Sequence, residues 1–377
     1  MKRIYLDNAA STPVDDDIIE AMLPYFKENF GNAQSQHGIG RDSANAMSAA
    51  RDELARFAGC KPQELYYASC GTEAGNFALK GVCSAYGKGH IVISSIEHPS
   101  LTESALDMQK LGFDVTFVNP DMYGVVSAEE IKNALRKDTV FCTVMAANNE
   151  TGAIQPVEEI GKVCRERGVF FYTDCVQTAP YMPLPTEHCN GLGFSAHKFY
   201  GPKGAAAVYI RGGSKIQRLI SGGMQERGLR GGTVNVAAFM GMAAAYKKSC
   251  RDMAENCNRT KAVRDYFIER VFEEIDGVTL NGKAENLLPS HANISFGGCD
   301  AQNMLFYLDL KGICVSTGAA CSAGATAPSH VLLAMGRTAE EARSAIRFSF
   351  GKHNTQEEVD KVVAELKSAV EKIRHSR

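Results

Sequence analysis

Short apolar runs alternate with amphipathic stretches through the first half of the chain. This alternation restricts the fold more than any other feature. Residues 91–93, 115–118, 140–147, 169–173 and 205–210 are apolar runs of the kind that form strands buried on both faces. Around them, residues 42–58 place Met47, Ala50, Leu54 and Phe57 at helical spacing, with Gly59 as a stop. Residues 103–111, 128–135 and 157–167 also read as helices. Strands alternating with helices in this way predict a mainly parallel sheet covered by helices on both faces.

After about residue 255 the pattern changes. A long helical stretch at 261–275 is followed by short strands at 292–296 and 346–350. The chain then closes on an amphipathic helix. Thr355 and Glu358 form its capping box, and Val359, Val362, Val363, Leu366 and Ile373 form one face. A chain of 377 residues has room for about two domains. The expected division is a large domain over 13–255 and a smaller α+β domain made from 1–12 and 256–377.

Charge and targeting signals exclude several classes. Forty-one basic against 43 acidic side chains leave no basic bias for nucleic acid and no cationic face for a membrane. Asp7 arrives before an apolar signal segment can form. The apolar run 231–246 has 16 residues, short of a bilayer span. A cytoplasmic protein is expected. Twelve cysteines are too few for a disulfide scaffold, and no C-x-x-C pair marks a metal site. Most are expected to be small apolar residues in a reducing compartment.

Three blocks could carry chemistry. In Phe194-Ser195-Ala196-His197-Lys198-Phe199-Tyr200-Gly201-Pro202 a lysine stands between apolar residues at a constrained turn. Desolvation there would suit a Schiff-base lysine, although a surface lysine beside a turn explains the tetrapeptide equally well. In Tyr172-Thr173-Asp174-Cys175, Asp174 ends a strand at the edge where α/β proteins bind ligands. It could hold a pyridine nitrogen protonated, or simply cap a helix. Ser69-Cys70-Gly71-Thr72-Glu73 opens a helix and offers N–H groups to a phosphate, or is only a cap.

Their order is what a pyridoxal phosphate site requires, with Lys198 24 residues after Asp174. With them come Tyr5-Leu6-Asp7-Asn8-Ala9-Ala10-Ser11-Thr12-Pro13, Glu97-His98, Asn148-Asn149-Glu150-Thr151-Gly152, Glu226-Arg227-Gly228-Leu229-Arg230-Gly231-Gly232-Thr233, Ser316-Thr317-Gly318-Ala319-Ala320-Cys321 and Ile346-Arg347-Phe348-Ser349. On these motifs the chain resembles the class V aminotransferase-like family, fold type I pyridoxal phosphate enzymes. Within it the likeness is to cysteine desulfurases of the NifS/IscS kind.

The resemblance implies an aspartate aminotransferase-like α/β fold, with a seven-stranded, mainly parallel sheet and a smaller C-terminal domain. It implies that L-cysteine is converted to L-alanine. The sulfur would pass to Cys321 as a persulfide, then to an acceptor such as an iron–sulfur scaffold or a tRNA-thiolation protein. Lys198 would form the Schiff base and move the substrate α-proton, and Asp174 would pair with the pyridine nitrogen. His98 would stack on the ring and assist acid–base steps. Gln177 and Asn149 would reach the ring oxygen, and Asn149 and Arg347 the substrate carboxylate. Gly71, Thr72, Ser195, Ala196 and His197 would hold the cofactor, chiefly its phosphate. Thr233 would reach the phosphate of a neighbouring subunit, implying a homodimer. No resident metal is expected, although Cys321 could be a transient iron–sulfur ligand.

Gly318, Ala319, Ala320, Ser322, Ala323 and Gly324 surround Cys321 with small residues suited to a loop, whereas Cys70 and Cys175 read as packing residues. Selenocysteine lyase or another class V aminotransferase-family reaction is the alternative.

Overall fold

The computed structural model describes residues 3–318 and 327–375. Among these residues the strands are β1 (Ile4–Tyr5), β2 (Leu65–Ala68), β3 (His90–Ser94), β4 (Asp114–Val118), β5 (Thr139–Thr143), β6 (Phe170–Asp174), β7 (Gly191–Ser195), β8 (Ala206–Ile210), β9 (Val278–Leu280), β10 (His291–Phe296), β11 (Ile313–Cys314) and β12 (Ala345–Ser349). Seven of them form one sheet in the order β2-β8-β7-β6-β5-β3-β4. Only β8 runs against the others, pairing antiparallel with both β2 and β7. The expected seven-stranded, mainly parallel sheet is therefore present.

The pleat explains why β3 and β5–β8 are buried throughout. Ile91, Ile93, Phe141, Phe170 and Tyr172 face one core, where the helix Gly71–Tyr86 contributes Ala74, Phe77 and Ala78. Val92, Cys142, Phe171, Leu192 and Phe194 face the opposite core, built with Met47, Leu54, Phe239 and Met242 from helices. Each fully buried phenylalanine contributes on the order of 2–3 kcal/mol. Apolar side chains on both faces leave no polar alternation, which is why these strands read as continuous runs.

Strand β7 carries no such signal, because Gly191 and Gly193 interrupt it. A Cβ on Gly193 would lie 2.4 Å from the Tyr172 hydroxyl and 3.0 Å from Ala74 Cβ. The glycine thus permits close approach of helix and sheet rather than a turn.

A third core lies on the antiparallel sheet β12-β10-β9. Ile294, Phe296, Ile346 and Phe348 meet Phe267 and Val271 of the helix Met253–Glu274, and Val359, Val363 and Leu366 of the helix Gln356–His375. Thr355 caps that last helix by accepting the Glu358 N–H, while the Glu358 carboxylate takes the Asn354 amide at 3.0 Å. The N-terminal segment joins this core through Leu6 and pairs β1 with β11. It then runs on towards the large sheet.

Candidate active site

The carboxyl ends of the parallel strands gather the residues with chemical potential. Beyond β2 comes the turn into the helix Gly71–Tyr86. Beyond β3 come Glu97 and His98, and beyond β5 Asn148 and Asn149. Strand β6 ends on Asp174, and β7 leads into the one-turn helix Ala196–Lys198. This is the edge at which open α/β sheets bind ligands.

Lys198 is half-buried, and its Nζ donates to the carbonyls of Ala9 and Ala10, the latter at 3.0 Å. The lysine turn is clamped by the N-terminal segment. Thr12 donates to the His197 carbonyl through its N–H at 2.9 Å and its hydroxyl at 3.0 Å, and accepts the Tyr200 N–H at 2.9 Å. Tyr200 has φ of 62°, a left-handed conformation that costs about 1 kcal/mol or more and needs such a clamp. Neither the alanine carbonyls nor Thr12 had a side-chain signal of its own in the sequence.

Asp174 does not cap a helix. A turn follows it, and its Oδ1 accepts the Val176 N–H at 2.8 Å. Burial pushes its carboxyl up to about 6, against that hydrogen bond and the Lys198 charge. Gln177, also buried, donates to the same Ala9 carbonyl as Lys198, at 3.0 Å.

His98 caps the helix Pro99–Lys110, its Nδ1 accepting the Ser100 N–H at 3.1 Å. Burial first, then the Lys198 and His330 charges, push it down to about 4. It is therefore neutral near pH 7, with its proton on Nε2. Burial, Lys198 and Lys203 likewise push His197 down to about 4. His197 Nδ1 lies 3.3 Å from the Ser11 hydroxyl. Ser195 and Ala196 are buried, and the Ser195 hydroxyl reaches the Ala205 carbonyl at 3.5 Å.

Gly71 and Thr72 open their 16-residue helix, whose N-cap is Cys70: its sulfur accepts the Glu73 N–H at 3.4 Å. Cys70 is exposed, so its reading as a packing residue fails, whereas Cys175 is buried as expected. A cap must face the open end of its helix. Glu73 fastens this turn, accepting the Ser69 N–H at 2.9 Å and Arg230 Nε at 2.7 Å. Thr233, three residues beyond Arg230, is exposed.

Arg347 is 3% exposed and joins two predicted substrate contacts. Its Nη1 donates to the Asn149 carbonyl and its Nη2 to Asp7 Oδ1, both at 2.8 Å. Its buried Nε has no partner among the described residues. Cys321 lies outside the described residues. Glu97, to which the sequence attached no role, is fully buried. Its Oε1 accepts the Ser94 hydroxyl and Met145 N–H, both at 2.6 Å, while Oε2 is unpartnered among the described residues. Burial, helped by the Asp174 charge, pushes it up to about 8, so it is neutral at pH 7 beside an ionised Asp174.

The profile of the aminotransferase class-V family matches residues 4–362. The chain belongs to this family. Among this class-V chain's relatives is "Cysteine desulfurase IscS" of Dictyoglomus turgidum, 43% identical over 99% of this chain and 96% of its own length. A solved "NIFS-LIKE PROTEIN" superposes with a TM-score of 0.91 at 35% identity, over 97% of this chain and 98% of its own. The structure titled "SspA in complex with cysteine" gives 0.82 at 32% identity, over 93% and 99%.

Class-V enzymes use pyridoxal phosphate, and the donor set here fits that group. A buried carboxylate suits a pyridinium, a half-buried amine an aldehyde, and free helix N–H groups a phosphate. Gly71 lets the turn pack closely on the segment after Asp174, since a Cβ there would lie 2.9 Å from Val176 Cγ2. No helix among the described residues is long and apolar enough to cross a membrane.

Proposed function

We propose that this chain is a pyridoxal phosphate-dependent cysteine desulfurase. It would convert L-cysteine to L-alanine and pass the sulfur through a Cys321 persulfide to an acceptor protein of the iron–sulfur scaffold or tRNA-thiolation type. The observation that supports this reading is the Arg347 guanidinium held on the Asn149 carbonyl, together with a Lys198 whose charge acts on both Asp174 and His98. Names of relatives over nearly the full length support the same activity.

When bound, the cofactor supplies a protonated pyridine ring that accepts electron density from the substrate α-carbon. Asp174 holds the ring nitrogen protonated. Glu97, being neutral, leaves that role to Asp174. Gly71, Thr72, Ser195, Ala196 and His197 would hold the phosphate end, and Gln177 and Asn149 would serve the ring oxygen. Lys198 Nζ, oriented by the Ala9 and Ala10 carbonyls, takes the α-proton and returns it. His98, neutral with Nε2 protonated, would lie against the ring and would donate or accept a proton as charge shifts. Arg347 and Asn149 fix the substrate carboxylate, where a guanidinium fork sets the angle of the α-carbon.

The Cys321 thiolate then forms an S–S bond to the substrate sulfur as the carbon–sulfur bond breaks. The electron pair stays on carbon, and protonation there completes alanine. The thiolate, not the thiol, is the nucleophile. An acceptor thiol next removes the outer sulfur. We place the cofactor on residues 13–255 and the accepting thiol on the unit formed by 1–12 and 256–377. The enzyme works as a cytoplasmic homodimer in which Thr233 of each subunit reaches the other's phosphate.

Cys321→Ala should keep the visible absorbance of bound cofactor and lose sulfide and persulfide formation from L-cysteine. Wild-type sulfur release by that variant would refute the sulfur-acceptor role. Lys198→Ala should lose the absorbance of the lysine-linked cofactor, and its retention would refute the Schiff-base role. Equal or faster turnover of selenocysteine would favour a lyase.

A further inference from the structure

Between β8 and the helix Val236–Arg251 three consecutive residues have left-handed backbone: Glu226 at φ of 45°, Arg227 at 58° and Gly228 at 80°. Such a conformation persists at a non-glycine residue only where the surroundings over-determine it. Here strand β2 does so. The buried Glu226 carboxylate accepts both terminal nitrogens of Arg51, at 2.7 and 2.8 Å, and the Tyr67 N–H at 2.9 Å. Arg227 donates to the Leu65 carbonyl at 2.9 Å, with its guanidinium 4.0 Å from the centre of the Tyr66 ring. No step above uses Glu226, Arg227 or Arg230.

Strand β2 runs directly into the turn that opens the helix Gly71–Tyr86. The same loop grips the far side of that turn. Arg230 Nε and Nη2 donate to the two Glu73 oxygens at 2.7 and 3.2 Å, and the two side chains are only 19% and 11% exposed. Glu73 passes the hold on, accepting the Ser69 N–H at 2.9 Å and the Ser69 hydroxyl at 2.5 Å. One loop thus fastens the turn from both sides, at Leu65 and Tyr67 before it and at Glu73 after it. Against the upward push of burial, the bonds from Arg230 and Ser69 hold the Glu73 carboxyl below its usual range, so it is ionised at pH 7. A helix N-terminus favours such a charge, but unpaired it would repel a phosphate at the same end. The Cys70 sulfur and carbonyl take the Glu73 and Ala74 N–H groups, which leaves those of Gly71 and Thr72 to an anion.

We propose that Glu73 and Arg230 are a positioning pair for the cofactor phosphate: together they fix the turn from Ser69 to Thr72, and Arg230 cancels the negative charge in the first turn of the helix. This rests on the reading of the chain as a pyridoxal phosphate enzyme whose phosphate sits at that helix. The pair acts through the turn and through charge, so it favours the phosphate and is indifferent to the rest of the cofactor. Thr233 follows Arg230 by three residues, and a route through Thr233 would not depend on Glu73.

The test titrates the cofactor-stripped full chain with pyridoxal phosphate and with pyridoxal, which lacks the phosphate, following the absorbance of the lysine-linked form. In Arg230→Ala the Kd for pyridoxal phosphate should rise about 10-fold or more, because an unpaired carboxylate then faces the phosphate. The Kd for pyridoxal should stay within about two-fold. Adding Glu73→Gln removes that charge and keeps an oxygen for Ser69, so the double variant should recover part of the affinity. Arg230→Gln, a milder change in case Arg230→Ala folds poorly, should show the same split at smaller size. Wild-type affinity for pyridoxal phosphate in both Arg230→Ala and Arg230→Gln would overturn the proposal. So would an equal loss for both compounds, which would mean that the pair supports the fold at large, and so would a double variant no better than Arg230→Ala. Failure of the underlying reading would appear separately, as a wild-type chain that binds neither compound or binds pyridoxal as tightly as pyridoxal phosphate.

Discussion

Replacing Glu97 by glutamine should remove one proton from the pH dependence of stability. Glu97 is fully buried, with both hydrogen bonds on Oε1 and none on Oε2 among the described residues. Its carboxyl titrates near 4.5 when exposed and near 8 when folded. The sign follows directly. Between these values the native state holds a proton that the unfolded state has released, so the stability present below about pH 4.5 is lost as pH rises towards 8. One proton over the two units from pH 5 to pH 7 is worth about 2.7 kcal/mol.

Other groups add slopes of their own. Asp174, raised to about 6, acts in the same direction at lower pH. His98 and His197, lowered to about 4, act oppositely up to about 6.5. Only the difference between wild type and Glu97→Gln isolates the one proton. Glutamine keeps an oxygen for the Ser94 hydroxyl and the Met145 N–H, so the site need not repack. The chain has no tryptophan, so urea unfolding of the cofactor-free protein is best followed by far-UV circular dichroism. Relative to wild type, the variant should gain about 2.7 kcal/mol between pH 5 and pH 7. A difference constant within about 0.5 kcal/mol across that range would mean that Glu97 is already ionised in the fold, and would refute the reasoning.

Two further substitutions probe the site and the sheet. Arg347→Lys keeps the charge but loses the fork that spans Asn149 and Asp7, and should raise the KM for L-cysteine by about 10-fold or more; an unchanged KM in steady-state assays would remove Arg347 from carboxylate binding. Gly193→Ala should destabilise by about 1–3 kcal/mol in urea unfolding, because its Cβ meets the Tyr172 hydroxyl at 2.4 Å. Adding Tyr172→Phe should recover part of that loss, and no recovery would place the strain elsewhere.

The sequence displayed what depends on one residue and its near neighbours, and concealed what depends on distant pairs. The runs that became β3, β5, β6 and β8 were legible because apolar residues point to both faces of the sheet. Strand β7 was not, since its glycines answer to Ala74 and Tyr172 rather than to strand propensity. Lys198 and Asp174 stood out because a lysine among apolar residues and an acid closing a strand break local patterns. The carbonyls of Ala9 and Ala10 that hold Lys198 belong to the backbone, which no residue type reveals. Glu150 and Ser329 stand 179 residues apart, so neither carries a local sign of the other. Gly318 makes the point most sharply. In the sequence it is one small residue in a stretch suited to a loop. In the fold it takes a positive φ, and a Cβ there would come within 2.9 Å of the buried Glu150 carboxyl. A residue that reads as freedom of the chain is here one placed close against a buried carboxyl.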